Sequence, residues 1–350
     1  MDREGNLVER IARAFRSGGP KKHAKDGAAL HLGIGDDAAI ISPGKNDWVL
    51  SCDAFLEGVH FLAKTHPPDS VGYKSLVRAT SDLAAMGATP RYFLLTLAIP
   101  ASRTGVWLDE FLNGMARAAR CLKIVLAGGD TTKGSVVSTS ITVVGEIGSG
   151  HAVTRSGARP GDVIYVSGTL GRAQLGLELL LHRKIKASGL HSGRARRSDR
   201  ALQDLLRSHL YPQIQLALGT WLAKRRMASA MMDISDGLST DLARLGSASG
   251  VGARILAELI PRVAIPAELS KLAGGLKLDP LQMALHGGED YELLFTVSPR
   301  NVKSLRTAPG FSQLKAIGEV TGGQSIVLIG PRGTQGTLEP QGWDPFRHQQ

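Results

Sequence analysis

Apolar and polar positions alternate along the chain in patterns that change several times, and each change marks an element. Near the start, Leu7, Ile11 and Phe15 recur at four-residue spacing, which predicts an amphipathic helix. Short apolar runs over 38–41 and 48–51 flank a Pro-Gly turn and predict two strands. Asp69 or Ser70 can cap a helix that runs through Leu76, Val77 and Leu83 and that Gly87 would close. A strand over 91–99, a helix over 105–121, a buried strand over 124–127 and a strand over 136–145 are expected next. Around 150–160 the chain turns polar and glycine-rich, the expected domain boundary. A strand over 163–167 restarts the pattern, and Gly168 and Gly171 turn it into a helix. Further strands are expected over 229–232, 251–256, 291–297, 315–318 and 326–328, with a helix from Leu238. No internal repeat is present. The expected fold class is therefore mixed α/β (α+β) in two domains, 1–150 and 151–350.

Composition narrows the class. With 43% hydrophobic and 21% charged residues over 350 positions, the chain has the balance of a soluble globular protein. Cys52 and Cys121 are its only cysteines and lack CxxC spacing, which excludes a disulfide scaffold and a zinc ribbon and suits a reducing compartment. The N-terminal stretch lacks the apolar core of a signal peptide. The longest apolar run, over 92–101, is about half a membrane span and contains Pro100. A cytoplasmic protein with no membrane partner is expected.

Charge complicates that picture. Lys and Arg number 42 against 31 Asp and Glu, a net +11, which invites an anionic ligand or nucleic acid. The basic stretch 182–200 holds Arg183, Lys184, Lys186, Arg194, Arg196, Arg197 and Arg200 against one acid, Asp199. It has no interleaved aromatics and matches no recognition motif, so it reads as a solvated excursion and argues against a nucleic-acid partner.

The minority charge is the better organised. Ten acids gather in six glycine-flanked segments near strand ends: Asp36 and Asp37; Asp53; Asp82; Asp130; Asp233 and Asp236; and Glu289, Asp290 and Glu292. Each segment alone is ordinary turn or cap chemistry. Six together imply convergence, and gathered carboxylates repel unless a cation lies between them. Hard oxygen ligands with glycines nearby suit Mg²⁺ carrying a nucleotide triphosphate. The glycine-rich segment 128–132 could cradle phosphate, but no GxxxxGK[ST] or GxGxxG motif occurs. Arg155 is a candidate for phosphate charge.

Taken together, GIGDDAA, CDAFLEGVHF, SDLAAMGATP, LAGGDTT, TRSGARPGD, DISDGLSTDL and HGGEDYELLFT resemble the thiamine-monophosphate kinase family, a branch of the superfamily that includes aminoimidazole ribonucleotide synthetase. The resemblance runs in order from Gly33 to the C-terminus. It implies transfer of the ATP γ-phosphoryl group to thiamine monophosphate, assisted by several Mg²⁺ ions and without a covalent nucleophile. It also implies a homodimer in which ferredoxin-like N-terminal halves share a β-barrel, each followed by a C-terminal α/β domain. The family's metal positions fall on Asp37, Ser51, Cys52, Asp53, Asp82, Asp130, Asp233 and Asp236. Its nucleotide contacts fall on Gly129, Asp130, Arg155 and Ser235, and its substrate contacts on His60, Glu289 and Trp343.

Two residues depart from the family pattern: Cys52 stands where Thr is usual, and Ala79 where Asn is frequent. A thiol is a poor Mg²⁺ ligand, so contact at position 52 would have to use the backbone carbonyl. The alternatives are another ATP-using enzyme of the superfamily, of selenophosphate synthetase or purine-pathway ligase type, and a basic nucleic-acid-binding protein. Residues 1–30 contain no cysteine of the kind a selenophosphate synthetase would need.

Overall fold

A computed structural model of the chain describes residues 29–32, 36–37, 39–42, 45–182, 197–266, 278–311 and 314–346. The expected N-terminal helix, Gly33 to Gly35 and most of the basic stretch lie outside these residues. The first half comprises β1 (Ala29–Leu32), β2 (Ala39–Ser42), β3 (Asn46–Leu56), α1 (Pro68–Met86), β4 (Thr89–Ile99), α2 (Val106–Leu122), β5 (Val125–Lys133) and β6 (Ser138–Gly148). Its six strands form one sheet in the order β1-β2-β3-β6-β4-β5. Only β4 and β5 pair in parallel, joined by the crossover through α2.

The second half comprises β7 (Val163–Val166), α3 (Arg172–Leu181), α4 (Arg197–Leu210), α5 (Leu216–Lys224), β8 (Ala228–Ile234), α6 (Leu238–Ser249) and β9 (Gly252–Leu256). It continues through α7 (Pro280–His286), β10 (Glu292–Val297), α8 (Pro299–Arg306), β11 (Lys315–Thr321), β12 (Ile326–Ile329) and β13 (Gln335–Thr337). Its seven strands follow the order β13-β12-β9-β11-β7-β10-β8, antiparallel except where β12 meets β9. Two sheets, one in each half, give the mixed α/β architecture that the interleaved pattern predicts. The first sheet is open, and no closed barrel occurs among the described residues.

The helix α1 decides how the halves meet. Fourteen of its 19 residues are buried, which a helix against a single sheet would not need. It packs on β3 and β6 of the first sheet, on β8 of the second, and on α2 and α5. One apolar cluster accordingly joins Val49, Phe55, Leu76 and Leu83 to Met231, Leu293 and Phe295 across the expected boundary. A second cluster, with Met232, Ile234 and Leu294, lies on the far face of the second sheet beneath α6 and α7. The period-2 alternation of β8 thus sends Met231 and Asp233 toward α1, and Met232 and Ile234 away from it.

Several expectations need correction. Asp69 and Ser70 do not cap α1; the N-cap is Pro67, and Asp69 instead meets Arg117 and Tyr211. Gly87 does close the helix, with φ at +77°. The run expected as a buried strand over 124–127 begins an edge strand, β5, exposed at every residue. Val125 shares the sheet face of Tyr92, which no described residue buries. Gly128 and Gly129 lie inside this strand rather than in a loop.

Glycines let α1 and α2 touch backbone to backbone. A Cβ on Gly72 would lie 1.9 Å from the carbonyl oxygen of Phe111, and one on Gly114 1.8 Å from that of Asp69. Gly114→Ala is expected to lower stability by about 2 kcal/mol despite its better helix propensity, a drop of roughly 5 °C in Tm. An unchanged Tm in calorimetry would contradict this close approach.

Candidate active site

Side chains from four elements converge where α1 passes between the two sheets. On β3, Val49 and Phe55 point into the core, so the alternating positions Ser51 and Asp53 point toward α1 as well. Ser51 Oγ donates to Asp82, and Asp53 pairs with Arg78, both partners being on α1. From the second sheet Asp233 accepts from Ser81 Oγ at 2.6 Å. Asp37, next to β2, completes the group: carboxylate oxygens of Asp37, Asp82 and Asp233 all lie within 4.8 Å of one another.

Electrostatics make this group unstable as bare charge. Burial, followed by repulsion from Asp53, Asp233 and Asp37, holds the Asp82 carboxyl well above the usual range. Burial and then Asp37 raise Asp233 in the same way. Asp37 Oδ2 is buried and has no hydrogen-bond partner among the described residues. Three converging hard oxygen donors, one of them unpartnered, fit a divalent cation. The neighbouring Asp36 is pushed up to about 6 by burial and by Asp37. Arg155 opposes this repulsion: its guanidinium donates to Asp37 and its backbone N–H to Asp36.

The turns around 233–237 and 287–292 pack back to back and bring the remaining acids alongside. Glu289 N–H donates to Ser235 O at 2.8 Å and Tyr291 N–H to Ile234 O at 2.9 Å. Glu289 and Tyr291 hold left-handed φ values of +68° and +50°, conformations that side chains adopt only when their surroundings impose them. Asp236 pairs with Arg244, and its carbonyl accepts from Trp343 N–H, tying the C-terminal segment to this turn. Asp290 accepts from Gly171 and Ala173 N–H and serves to start α3.

A buried polar chain lies beside the carboxylates. Lys74 Nζ, 1% exposed, donates to Glu289 Oε2 at 2.7 Å, and His209 Nδ1 lies 3.2 Å from the same oxygen. His209 Nε2 meets His66 Nε2 at 3.1 Å. Burial opposes ionisation of Glu289, yet Lys74 and His209 hold its carboxyl well below the usual range. His60 stacks on Phe55 at 5.6 Å and accepts from Leu56 N–H through Nδ1. Burial and the Arg78 charge bring it down to about 4, so the ring is neutral at pH 7.

The structure therefore brings together Asp37, Ser51, Asp53, Asp82 and Asp233, with Asp236, Ser235, His60, Glu289 and Trp343 on the adjoining turns. The Cys52 thiol does not join the group, consistent with contact at this position through the backbone alone. It points to the opposite, exposed face of β3, with Sγ near Ser140 and Thr142, and only its backbone faces the acids. Gly129 and Asp130 sit on exposed β5 and share no hydrogen bond with the cluster; Asp130 Oδ1 accepts from Thr131 N–H. Arg155 is held against Asp36 and Asp37. The sequence reading missed Lys74, Arg78 and His209, although Lys74, Arg78 and Asp82 recur at the four-residue spacing of one helix face.

Comparison with known proteins matches this arrangement to a family. Residues 35–147 match the model for the AIR synthase related protein N-terminal domain, and 159–331 that for its C-terminal domain. The thiamine-monophosphate kinase of Escherichia coli is 37% identical over 91% of this chain and 92% of its own. A solved structure described as AaThiL complexed with AMPPCP and TMP has a TM-score of 0.78 at 32% identity, covering 97% of this chain and 96% of that one. The thiamine-monophosphate kinase structure from Stenotrophomonas maltophilia scores 0.71 at 34% identity, covering 94% and 95%. The chain belongs to the AIR synthase related proteins and, within them, to the thiamine-monophosphate kinase family.

Proposed function

We propose that this protein transfers the γ-phosphoryl group of ATP to thiamine monophosphate, giving thiamine diphosphate and ADP. The observation that carries this reading is the convergence of Asp37, Asp82 and Asp233, with the Asp37 oxygen left unpartnered. The relative described with AMPPCP and TMP supports the choice of the two substrates.

Asp37, Asp82 and Asp233 would hold Mg²⁺, with Ser51, Asp53 and Asp236 beside them and Asp130 facing the nucleotide. Mg²⁺ bound there would supply the positive charge that lets two phosphate chains approach. The acceptor is itself a phosphate oxygen, anionic at neutral pH, so no strong base is needed. What the protein must do is align the two substrates and exclude water. Arg155 pairs with Asp36 and Asp37. Once those carboxylates are engaged, its guanidinium is available to the ATP phosphates, with Gly129 and Ser235 as backbone contacts. Glu289, fixed in its ionised form by Lys74, receives the cationic substrate. His60 offers a neutral ring with its proton on Nε2, and Trp343 an aromatic face.

The protein acts as a homodimer in this reading. One face of the first sheet carries Trp48, Tyr92, Leu94 and Val125, each more than 40% exposed. A bare apolar sheet face of this size calls for a partner, and two such ferredoxin-like halves would close a β-barrel. No described helix is long and apolar enough to cross a membrane, and both cysteines are unpaired, which supports a cytoplasmic setting.

Incubation with ATP and thiamine monophosphate should yield thiamine diphosphate, and free thiamine should yield no phosphorylated product. Phosphorylation of free thiamine alone would overturn the substrate assignment. Asp82→Asn and Asp233→Asn should each lower kcat on the order of 100-fold; full activity at limiting Mg²⁺ would remove the metal role.

Two further measurements bear on charge and assembly. In ion-free protein Asp82 and Asp233 retain protons that the unfolded chain has already released, because their folded pKa values are raised. Their stabilising contribution is thus present at low pH and fades as pH rises. Saturating Mg²⁺ should therefore raise Tm more at pH 8 than at pH 6; an equal or smaller rise would speak against cation binding at these acids. Leu94→Arg should convert a dimer into a monomer in sedimentation, and a wild-type monomer would refute the assembly.

A further inference from the structure

We infer that Arg78 binds the phosphate of the acceptor and makes the enzyme select a phosphorylated substrate. The inference rests on the reading of the protein as a thiamine-monophosphate kinase and names a residue for one of its requirements.

Position comes first. Lys74, Arg78 and Asp82 follow one another at four-residue intervals on α1, about one helical turn or 5–6 Å apart along the axis. Lys74 anchors Glu289, the proposed contact for the organic part of the substrate. Asp82 belongs to the carboxylate group where transfer would occur. Arg78 stands between them. A substrate held at Glu289 whose phosphate reaches the carboxylates must pass this side chain.

Geometry then assigns the free atoms. Arg78 Nε donates to Asp53 Oδ2 at 3.0 Å, and the guanidinium carbon lies 5.4 Å from the centre of the Phe55 ring, which also carries His60. These two contacts fix the plane of the group. Its terminal nitrogens, Nη1 and Nη2, make no hydrogen bond to any described residue, and the side chain keeps 19% of its surface open. Of the other cations near the site, Lys74 Nζ is held by Glu289, and Arg155 is the proposed contact for the ATP phosphates. A planar fork held at its inner edge, with its outer edge open, matches two phosphate oxygens. Glu289 and Asp53 cannot take that role, since both are acids. Free thiamine would leave the fork unpaired and gain nothing from it.

The test compares binding of thiamine monophosphate and thiamine by titration calorimetry to wild type, Arg78→Gln and Arg78→Lys. Arg78→Gln should weaken thiamine monophosphate binding by roughly 10–100-fold, the range for loss of a charge-assisted hydrogen-bonded pair. Thiamine binding and the KM for ATP should stay within about twofold, a split that damage to packing would not give. Arg78→Lys, which keeps the charge without the fork, should fall between wild type and Arg78→Gln. Wild-type affinity in Arg78→Gln would overturn the inference, and so would equal weakening of both ligands, which marks a structural role through Asp53 and Phe55. Should Arg78→Gln not fold, Arg78→Lys alone decides: wild-type preference for the phosphorylated ligand would then overturn the inference. Wild-type protein that forms no thiamine diphosphate would remove the functional reading and the inference together. An active wild type with an indifferent Arg78→Gln removes the inference alone.

Discussion

Carboxylates crowded together inside a protein must shed their charge or share a cation. Asp37, Asp82 and Asp233 are in this position, and much of the surrounding structure follows from it. Burial and mutual repulsion raise Asp82 and Asp233, the hydroxyls of Ser51 and Ser81 turn toward them, and Arg155 is drawn to Asp36 and Asp37. Even so, one oxygen of Asp37 has no partner among the described residues. A buried acceptor without a donor is costly, and a cation removes that cost. Three converging carboxylate oxygens form a donor set that suits a divalent cation.

The helix α1 makes the convergence possible. It lies between two sheets and is buried on nearly all sides, so each sheet can present its own acids to it. Strand alternation does the rest: Ser51 and Asp53 from β3, and Asp233 from β8, fall on the inward faces. The same helix carries Lys74, Arg78 and Asp82 in sequence along its length, one turn apart. The proposed substrate anchor, phosphate contact and cation ligand thus share one element, whose packing against α2 depends on Gly72 and Gly114. A shift of this helix would move all three together.

Much of this could be read from the chain itself. The acids in glycine-flanked segments, the strand leading into Asp233 and the closure of α1 at Gly87 all follow from local rules. Period-2 alternation also separates Cys52 from Ser51 and Asp53, although the family pattern alone groups them. What could not be read depends on long-range packing. Lys74 and Arg78 look like solvent-facing charges in a helix, because nothing local says that a second sheet covers them. The apolar start of β5 looks like core, because sequence does not distinguish a covered sheet face from an exposed one. His209 joins Glu289 only through the docking of α4, more than a hundred residues from α1.

The most direct test of the account is anomalous diffraction from crystals of the protein grown with Mn²⁺ as a stand-in for Mg²⁺. The account predicts a peak within bonding distance of Asp37, Asp82 and Asp233, with Arg155 drawn away from Asp37. Well-ordered carboxylates with no peak between them, at Mn²⁺ concentrations that support activity, would contradict it.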